Sequence, residues 1–322
     1  MKILVTGGAG FIGSNFIIHM LNKYTNYEIV NVDSLTYAGN INNLKSVQDN
    51  PKYSFIQADI ADTEAIERIL STGIDYVVNF AAESHVDRSI ANPEIFVKTN
   101  VLGTQVLLEA SKKFGISKYV QVSTDEVYGS LGAEGLFTES TPLSPNSPYS
   151  ASKAGGDMLA RAYFETYQFP VCITRCSNNY GAYQFPEKLI PLVFTKALKD
   201  EKIPVYGDGL NIRDWLHVED HCSAIDLVLH EGKAGEVYNI GGNNERTNLQ
   251  IVNTILKELG KSQELISFVT DRLGHDRRYA IDATKIRKEL GWQPKYVFET
   301  GIKQTVQWYL SNESWLEQLE SR

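Results

Sequence analysis

Tyr149 and Lys153 stand four positions apart, and Asp125 and Glu126 stand side by side. These residue types move protons. On a helix, residues four apart share a face, and an ammonium beside a phenol favours the phenolate. Bringing a tyrosine down to neutral pH needs roughly 4 kcal/mol of differential stabilisation. A lysine at hydrogen-bonding range together with a second neighbouring positive charge would supply it. The carboxylates lie in Ser123-Thr124-Asp125-Glu126-Val127-Tyr128-Gly129, after an apolar run, Lys118 to Val122, that reads as a buried strand. Paired carboxylates can serve as one donor and one acceptor when their environments separate their proton affinities. From these residues alone, a solvated strand end and a surface Tyr–Lys pair remain the plain alternatives.

The surrounding pattern places both pairs. Strands are expected at Lys2–Thr6, Glu28–Val32, Ser54–Gln57, Tyr76–Phe80, Lys118–Ser123 and Val171–Arg175, and helices at Phe11–Asn22, Thr63–Leu70, Asn100–Phe114 and Ser150–Tyr167. This alternation predicts an α/β fold, a Rossmann-type doubly wound parallel sheet with helices on both faces. In such sheets ligands bind at the carboxyl ends of the strands. The rhythm weakens after Ser177, so a smaller, partly interleaved C-terminal α/β lobe is expected over 177–322, after a first domain over 1–176. A late helix is expected at Asn248–Leu259, and a strand at Val237–Ile240 is expected to return to the first domain. Consecutive residues of a regular strand point to opposite faces. Asp125 and Glu126 can therefore reach one ligand only if the chain turns by Thr124 or Asp125.

Thr6-Gly7-Gly8-Ala9-Gly10-Phe11-Ile12-Gly13 joins the first strand to the first helix and fits both Gly8-x-Gly10-x-x-Gly13 and Gly7-x-x-Gly10-x-x-Gly13. Glycines here allow a tight turn and close approach of backbone to a pyrophosphate, whose charge the helix N-terminus receives. Asp33 follows about twenty residues on, where an acid accepts ribose hydroxyls. It would repel a 2′-phosphate, so NAD is expected rather than NADP. The chain has 322 residues, 43% hydrophobic and 22% charged, with a net charge of -8. That balance argues against nucleic acid as a partner, and an anionic ligand would need a local basic cluster. Cys172, Cys176 and Cys222 form no CxxC pair, which favours reduced thiols in the cytoplasm. No signal segment precedes Ile3-Leu4-Val5, and no apolar run reaches membrane length. No metal is expected.

The glycine turn, Asp33, Thr124 and Tyr149-x-x-x-Lys153 resemble the extended short-chain dehydrogenases/reductases along nearly the whole chain. Within that family, the Thr124-Asp125-Glu126 run resembles the dTDP-glucose 4,6-dehydratases. So do Ala81-Ala82-Glu83-Ser84-His85-Val86-Asp87 and Arg175-Cys176-Ser177-Asn178-Asn179-Tyr180-Gly181. Related epimerases share the Tyr–Lys pair but typically lack the adjacent Asp-Glu. The resemblance implies a lyase with an internal redox cycle, converting dTDP-glucose to the 4-keto-6-deoxy sugar, with rhamnose synthesis the usual pathway fed. Tyr149 would take the C4 hydroxyl proton while hydride passes to NAD, with Thr124 bonding that hydroxyl and Lys153 holding Tyr149 and the nicotinamide ribose. Glu126 would remove the C5 proton, Asp125 would protonate the departing C6 hydroxyl, and hydride would return to C6.

The resemblance also implies cofactor contacts from Gly7, Gly10, Phe11, Ile12, Gly13, Asp33, Ser34, Thr36, Asp59, Ile60, Ala81, Ala82, Ser84, Thr99, Tyr149, Lys153 and Asn178. For the substrate it implies Ser84, His85, Thr124, Asn178, Glu187, Lys188, Leu189, Pro204, Tyr206, Arg213, Asn248, Arg272 and His275. Arg213 and Arg272 would pair with the diphosphate, where a planar fork suits phosphate oxygens. Leu273 stands where the family usually has proline, so a change in loop stiffness is expected there. The helices Asn100–Phe114 and Ser150–Tyr167 carry apolar residues on more than one face, and relatives pair them as a four-helix bundle between two subunits. A homodimer is expected on that ground; a larger monomeric core is the alternative.

Overall fold

The computed structural model describes residues 1–320. The first half runs β1 (Lys2–Thr6), α1 (Phe11–Lys23), β2 (Glu28–Asp33), β3 (Tyr53–Gln57), α2 (Thr63–Leu70), β4 (Tyr76–Asn79), α3 (Val86–Ala91), α4 (Pro93–Phe96), α5 (Thr104–Lys113), β5 (Lys118–Thr124), α6 (Pro148–Tyr167) and β6 (Val171–Cys176). It continues with β7 (Asn178–Tyr180), α7 (Leu189–Leu198), β8 (Ile203–Tyr206), β9 (Ile212–His217), α8 (Val218–Glu231), β10 (Val237–Ile240), β11 (Glu245–Thr247), α9 (Asn248–Glu258), β12 (Ile266–Val269), α10 (Thr284–Leu290), α11 (Phe298–Ser311) and α12 (Glu313–Glu320).

Seven parallel strands form the central sheet in the order β10-β6-β5-β4-β1-β2-β3. Ile3, Val5, Val78 and Val120 on one face and Leu4, Val32 and Val77 on the other give these strands two buried faces, as a parallel sheet covered on both sides requires. Phe16, Ile17 and Met20 of α1 and Ile225, Val228 and Leu229 of α8 cover one face. Ile66 and Ile69 of α2, Leu107 of α5 and Tyr163 of α6 cover the other. Strand order reverses between β1 and β4, which opens a crevice at their carboxyl ends. A separate core built on Phe194, Trp215, Ile255, Ile302 and Tyr309 packs the second half. That half carries the three-stranded sheet β11-β9-β7 and the pair β12-β8.

The helix expected from Asn100 differs. The chain is helical from Pro93, passes through a π-helical stretch over Val97–Gly103, and only then becomes α5. Asn100 is the reason visible in the contacts. Its amide oxygen accepts from the Glu83 N–H at 2.9 Å, and its nitrogen donates to the Glu83 carbonyl and the Ser152 hydroxyl. Bringing that side chain inward takes up one extra residue per turn, as π-bulges do, frequently at functional sites.

Candidate active site

Each reactive side chain sits where one element hands over to the next. At the end of β5, Thr124 keeps extended backbone and the chain then turns into a single 3-10 turn over Asp125–Tyr128. The turn expected from the paired carboxylates is therefore present. The Thr124 hydroxyl caps it, accepting from the Glu126 N–H at 3.3 Å and donating to Asp125 Oδ1 at 3.4 Å. On α6, a capping box between Ser147 and Ser150 and Pro148 in the first turn fix the helix start, a strong N-terminal signal. Tyr149 thereby lies in the first turn, with Lys153 one turn later. Lys153 is buried, and its ammonium donates to the Val122 carbonyl at 2.7 Å, which ties α6 to β5.

The crevice is lined by Gly7, Gly10, Phe11, Ile12 and Gly13, by Asp33, Ser34 and Thr36, by Asp59 and Ile60, by Ala81, Ala82 and Ser84, by Thr99, and by Asn178. Thr124, Asp125, Glu126, Tyr149, Lys153, Glu187 and Lys188 line the same cavity. Every residue expected on the dinucleotide side thus faces one space with the paired carboxylates. Gly8 does not line it, because its Cα is packed against Asn31 and Ile17. Of the two glycine patterns, Gly7-x-x-Gly10-x-x-Gly13 is the one that faces the cavity. Gly7 has φ +68, and a Cβ there would sit 2.6 Å from the Ala81 nitrogen, so β1 and the segment after β4 touch backbone to backbone.

These residues suit a dinucleotide. No side chain caps the N-terminus of α1, and its first turn holds no acid, which leaves free N–H groups and the positive helix end for a diphosphate. Asp33 accepts from the N–H groups of Ala9 at 3.0 Å and Leu35 at 2.8 Å, so its oxygens are fixed at the cavity wall. Burial pushes its carboxyl up while these two backbone bonds hold it down. Asp59 is tied to Lys98 at 3.0 Å and to the Ala61 N–H.

The two adjacent carboxyls differ in surroundings. Asp125 is 1% exposed; burial first, then the Glu126 and Asp214 carboxylates, push it well above the usual range. Its Oδ2 is buried without a hydrogen-bond partner. Glu126 is only half-buried. Burial raises it too, and the charges of Arg272, Arg213 and Lys188 limit that rise without reversing it. Both carboxyls are thus raised, Asp125 the more strongly, which suits it to hold a proton and leaves Glu126 the easier of the two to ionise. Tyr149 is held protonated by burial, by Glu126 and by the Cys176 thiol, with Thr124 hydrogen bonding acting the other way. Lys153, which burial lowers, has its hydrogen bond to the β5 carbonyl, and the charges acting on Tyr149 here are acidic.

The substrate-side residues divide. Ser84, Thr124, Asn178, Glu187 and Lys188 line the cavity, whereas His85, Leu189, Pro204, Tyr206, Arg213, Asn248, Arg272 and His275 do not. Arg213 is buried, with its guanidinium on the Ile212 and Asp276 carbonyls and 4.2 Å above the Tyr279 ring. It reaches the site by charge. Arg272 does likewise, while His275 is held by Asp271 at 2.6 Å and Tyr206 bonds Asp87 at 3.3 Å. His85 stands at the N-cap position of α3 without a side-chain capping bond, and its Nδ1 is buried and unpartnered. Leu189 and Asn248 open α7 and α9, and Pro204 lies on β8. Leu273 is 76% exposed.

Sequence reasoning missed several residues here. Asp214 is the most consequential, since it stands beside Arg213 in the buried strand β9 and raises Asp125. Its oxygens accept from the N–H groups of Gly242 and Asn244 at 2.9 and 2.6 Å. The available signal was an Arg-Asp pair inside an otherwise apolar strand. Cys176, Asn179, Gln184 and Phe185 also line the cavity; the first two stood in a motif already quoted. Arg88 lies 3.8 Å over the Tyr37 ring and 3.1 Å from Glu187, a contact that no local pattern announces.

Comparison with known proteins agrees with this geometry. A profile of the GDP-mannose 4,6 dehydratase family matches residues 4–305. The dTDP-glucose 4,6-dehydratase of Xanthomonas campestris pv. campestris (strain B100) is 54% identical over 333 residues, covering 98% of this chain and 94% of the relative. The crystal structure of dTDP-glucose 4,6-dehydratase from Bacillus anthracis str. Ames in complex with NAD superposes with a TM-score of 0.93 at 60% identity, covering 99% of each chain. DesIV, the dTDP-glucose 4,6-dehydratase of Streptomyces venezuelae with NAD and TYD bound, gives a TM-score of 0.97 at 52% identity, covering 99% of this chain and 100% of that one. The chain belongs to the GDP-mannose 4,6 dehydratase family of extended short-chain dehydrogenases/reductases, among its dTDP-glucose 4,6-dehydratase members.

Proposed function

We propose that this protein is an NAD-dependent dTDP-glucose 4,6-dehydratase, a lyase that converts dTDP-glucose to dTDP-4-keto-6-deoxyglucose and water. The observation that carries the reading is the adjacent carboxyls facing one cavity with Thr124, Tyr149 and Lys153, in unlike surroundings: burial, Glu126 and Asp214 hold Asp125 high, while Arg272, Arg213 and Lys188 limit the rise that burial gives Glu126. Elimination across neighbouring carbons needs one acid and one base. NAD held by Gly7, Gly10, Gly13 and Asp33 supplies hydride uptake at C4 and hydride return at C6. Tyr149, protonated in the protein by itself and drawn toward the phenolate by the positive nicotinamide of bound NAD, takes the C4 hydroxyl proton, with Thr124 bonding the same hydroxyl and Lys153 orienting the start of α6. Glu126 removes the C5 proton, which the C4 ketone acidifies, and Asp125 protonates the C6 hydroxyl as it leaves.

Glu187 and Lys188 reach the sugar from the cavity wall. Arg213, Arg272, His275, Tyr206, Asn248, Pro204 and Leu189 form the nucleotide side, where the arginines meet the diphosphate once the lobe has a ligand against it. Incubation with dTDP-glucose, beside UDP- and CDP-glucose, tests the reading through the alkaline ultraviolet absorbance of the 4-keto-6-deoxy sugar. Recovery of only a hexose isomer would point to an epimerase instead.

The same reading extends to assembly and compartment. Val97 and Leu102 on the helical stretch before α5, and Met158 and Tyr167 on α6, are about half exposed. A second copy of this chain covers them in a homodimer, through a bundle of two helices from each subunit. Three free, buried cysteines fit a reducing cytoplasm. Among the described residues no helix is long and apolar enough to cross a membrane.

A further inference from the structure

The far end of the chain is tied to the dinucleotide turn. Trp315, on α12, is buried, and its indole N–H donates to Asn43 Oδ1 at 2.8 Å. Asn43 lies in a 3-10 turn over Ile41–Leu44 and is 2% exposed. Its Nδ2 donates at 3.0 Å to the Ala9 carbonyl, which also accepts from the Asn40 N–H at 2.9 Å. The Ala9 N–H in turn donates to Asp33 Oδ2 at 3.0 Å. Ala9 precedes Gly10, the N-cap of α1, and its carbonyl belongs to the peptide that carries the Gly10 N–H. An unbroken run of buried hydrogen bonds thus leads from α12 to the acid that faces the ribose and the turn that faces the diphosphate.

We propose that Trp315 is a positioning residue for NAD, acting through Asn43 on Ala9 and Asp33. The inference rests on NAD binding at the glycine turn. An indole N–H can only donate, so it requires oxygen at the facing end of the Asn43 amide. The amide nitrogen is thereby turned to the Ala9 carbonyl, which fixes that peptide plane before a ligand arrives. The rings of Tyr183, Trp308 and Tyr309 pack around the indole, with centroids 5.9, 5.3 and 6.3 Å away, and so set the direction of its N–H. Without that N–H, Asn43 Oδ1 is a buried acceptor with nothing to bond, a costly arrangement. The protein escapes it by turning the amide, which releases the Ala9 carbonyl. NAD then binds only the fraction of molecules whose turn is still aligned, and its affinity falls by that fraction.

Titration calorimetry on the full chain tests this with NAD and, separately, with dTDP. Trp315→Phe keeps a ring in the aromatic cluster and removes the N–H. It should weaken NAD roughly tenfold and leave dTDP within about twofold. Asn43→Leu should weaken NAD at least as much, and adding Trp315→Phe to it should cost nothing further, as two changes to one bond require. Equal weakening of NAD and dTDP in Trp315→Phe, or independent effects in the double variant, overturns the proposal, because either makes Trp315 a packing residue only. The unmutated protein gives a second readout that does not depend on the variants folding. Coupling is reciprocal, so NAD should slow deuterium exchange of the Trp315 indole N–H by about the same factor. Its signal is identified by replacing the other three tryptophans, Trp215, Trp292 and Trp308, one at a time. Exchange unchanged by NAD overturns the proposal. Failure of the unmutated protein to bind NAD would overturn the cofactor assignment itself, a distinct outcome.

Discussion

Asp125→Asn isolates the acid. In the structure the Asp125 carboxyl is 1% exposed, keeps its Oδ2 without a partner and accepts the Thr124 hydroxyl on Oδ1. Asparagine has the same shape, so its oxygen can keep the Thr124 bond. Because Asp125 is held protonated, the substitution changes no charge in the resting state. The new NH₂ group lacks an acceptor, which costs about 1–3 kcal/mol of stability and leaves the fold in place. The chemical loss is larger. A positioned general acid contributes about 10²- to 10⁴-fold, or about 3–5 kcal/mol of barrier. Formation of the 4-keto-6-deoxy sugar should fall by that factor. Exchange of the C5 hydrogen with solvent deuterium should persist, since it needs only C4 oxidation and Glu126. A folded variant that forms product within tenfold of the parent, or that loses C5 exchange together with product, would refute the assignment of Asp125 as acid.

Glu126→Gln should show the converse, with C4 oxidation retained and C5 exchange abolished; unchanged exchange rejects Glu126 as base. The pH profile of kcat/KM should be bell-shaped. Activity is lost as pH falls through the raised Glu126 value, because the base becomes protonated, and lost as pH rises past the still higher Asp125 value, because the acid is emptied. Arg272→Gln removes one charge that draws Glu126 down, so the acid limb should move up by about one pH unit; an unmoved limb contradicts the charge argument. Gly7→Ala places a Cβ 2.6 Å from the Ala81 nitrogen at φ +68, which costs about 1–2 kcal/mol in backbone strain alone. NAD affinity measured by fluorescence titration should drop about tenfold or more. Away from the site, buried Asp226 binds His19, Lys23, Tyr24 and His230, which hold its carboxyl far below the usual range. That depression contributes stability above the unfolded carboxyl value near 4 and loses it as pH falls. Asp226→Asn should therefore cost about 2–3 kcal/mol in urea unfolding at pH 7, and the difference from the parent should shrink in acid.

Local features carried most of what was legible beforehand. The glycine turn, the acid ending β2 and the strand–helix alternation depend on neighbours within a few residues, and period and turn chemistry expose such features directly. β1, α2 and β10 match their expected bounds, and the others shift by one or two residues at their ends, where capping decides. The helix expected at Asn100–Phe114 starts differently because this stretch depends on Asn100 meeting Glu83 and Ser152, residues 17 and 52 positions away. No periodicity encodes such a contact.

The paired carboxylates show the division most sharply. Sequence alone determined that an acid pair follows a buried strand beside Thr124, and strand geometry required the chain to turn there. It contained no reason for Asp125 and Glu126 to differ. That difference comes from tertiary placement: Asp214 on β9 raises Asp125, which Arg213 alone among the cations counters, while Arg272, Arg213 and Lys188 from the second half of the chain all act on Glu126. Proton affinity depends on burial and on charges through space, and only folding brings those charges together.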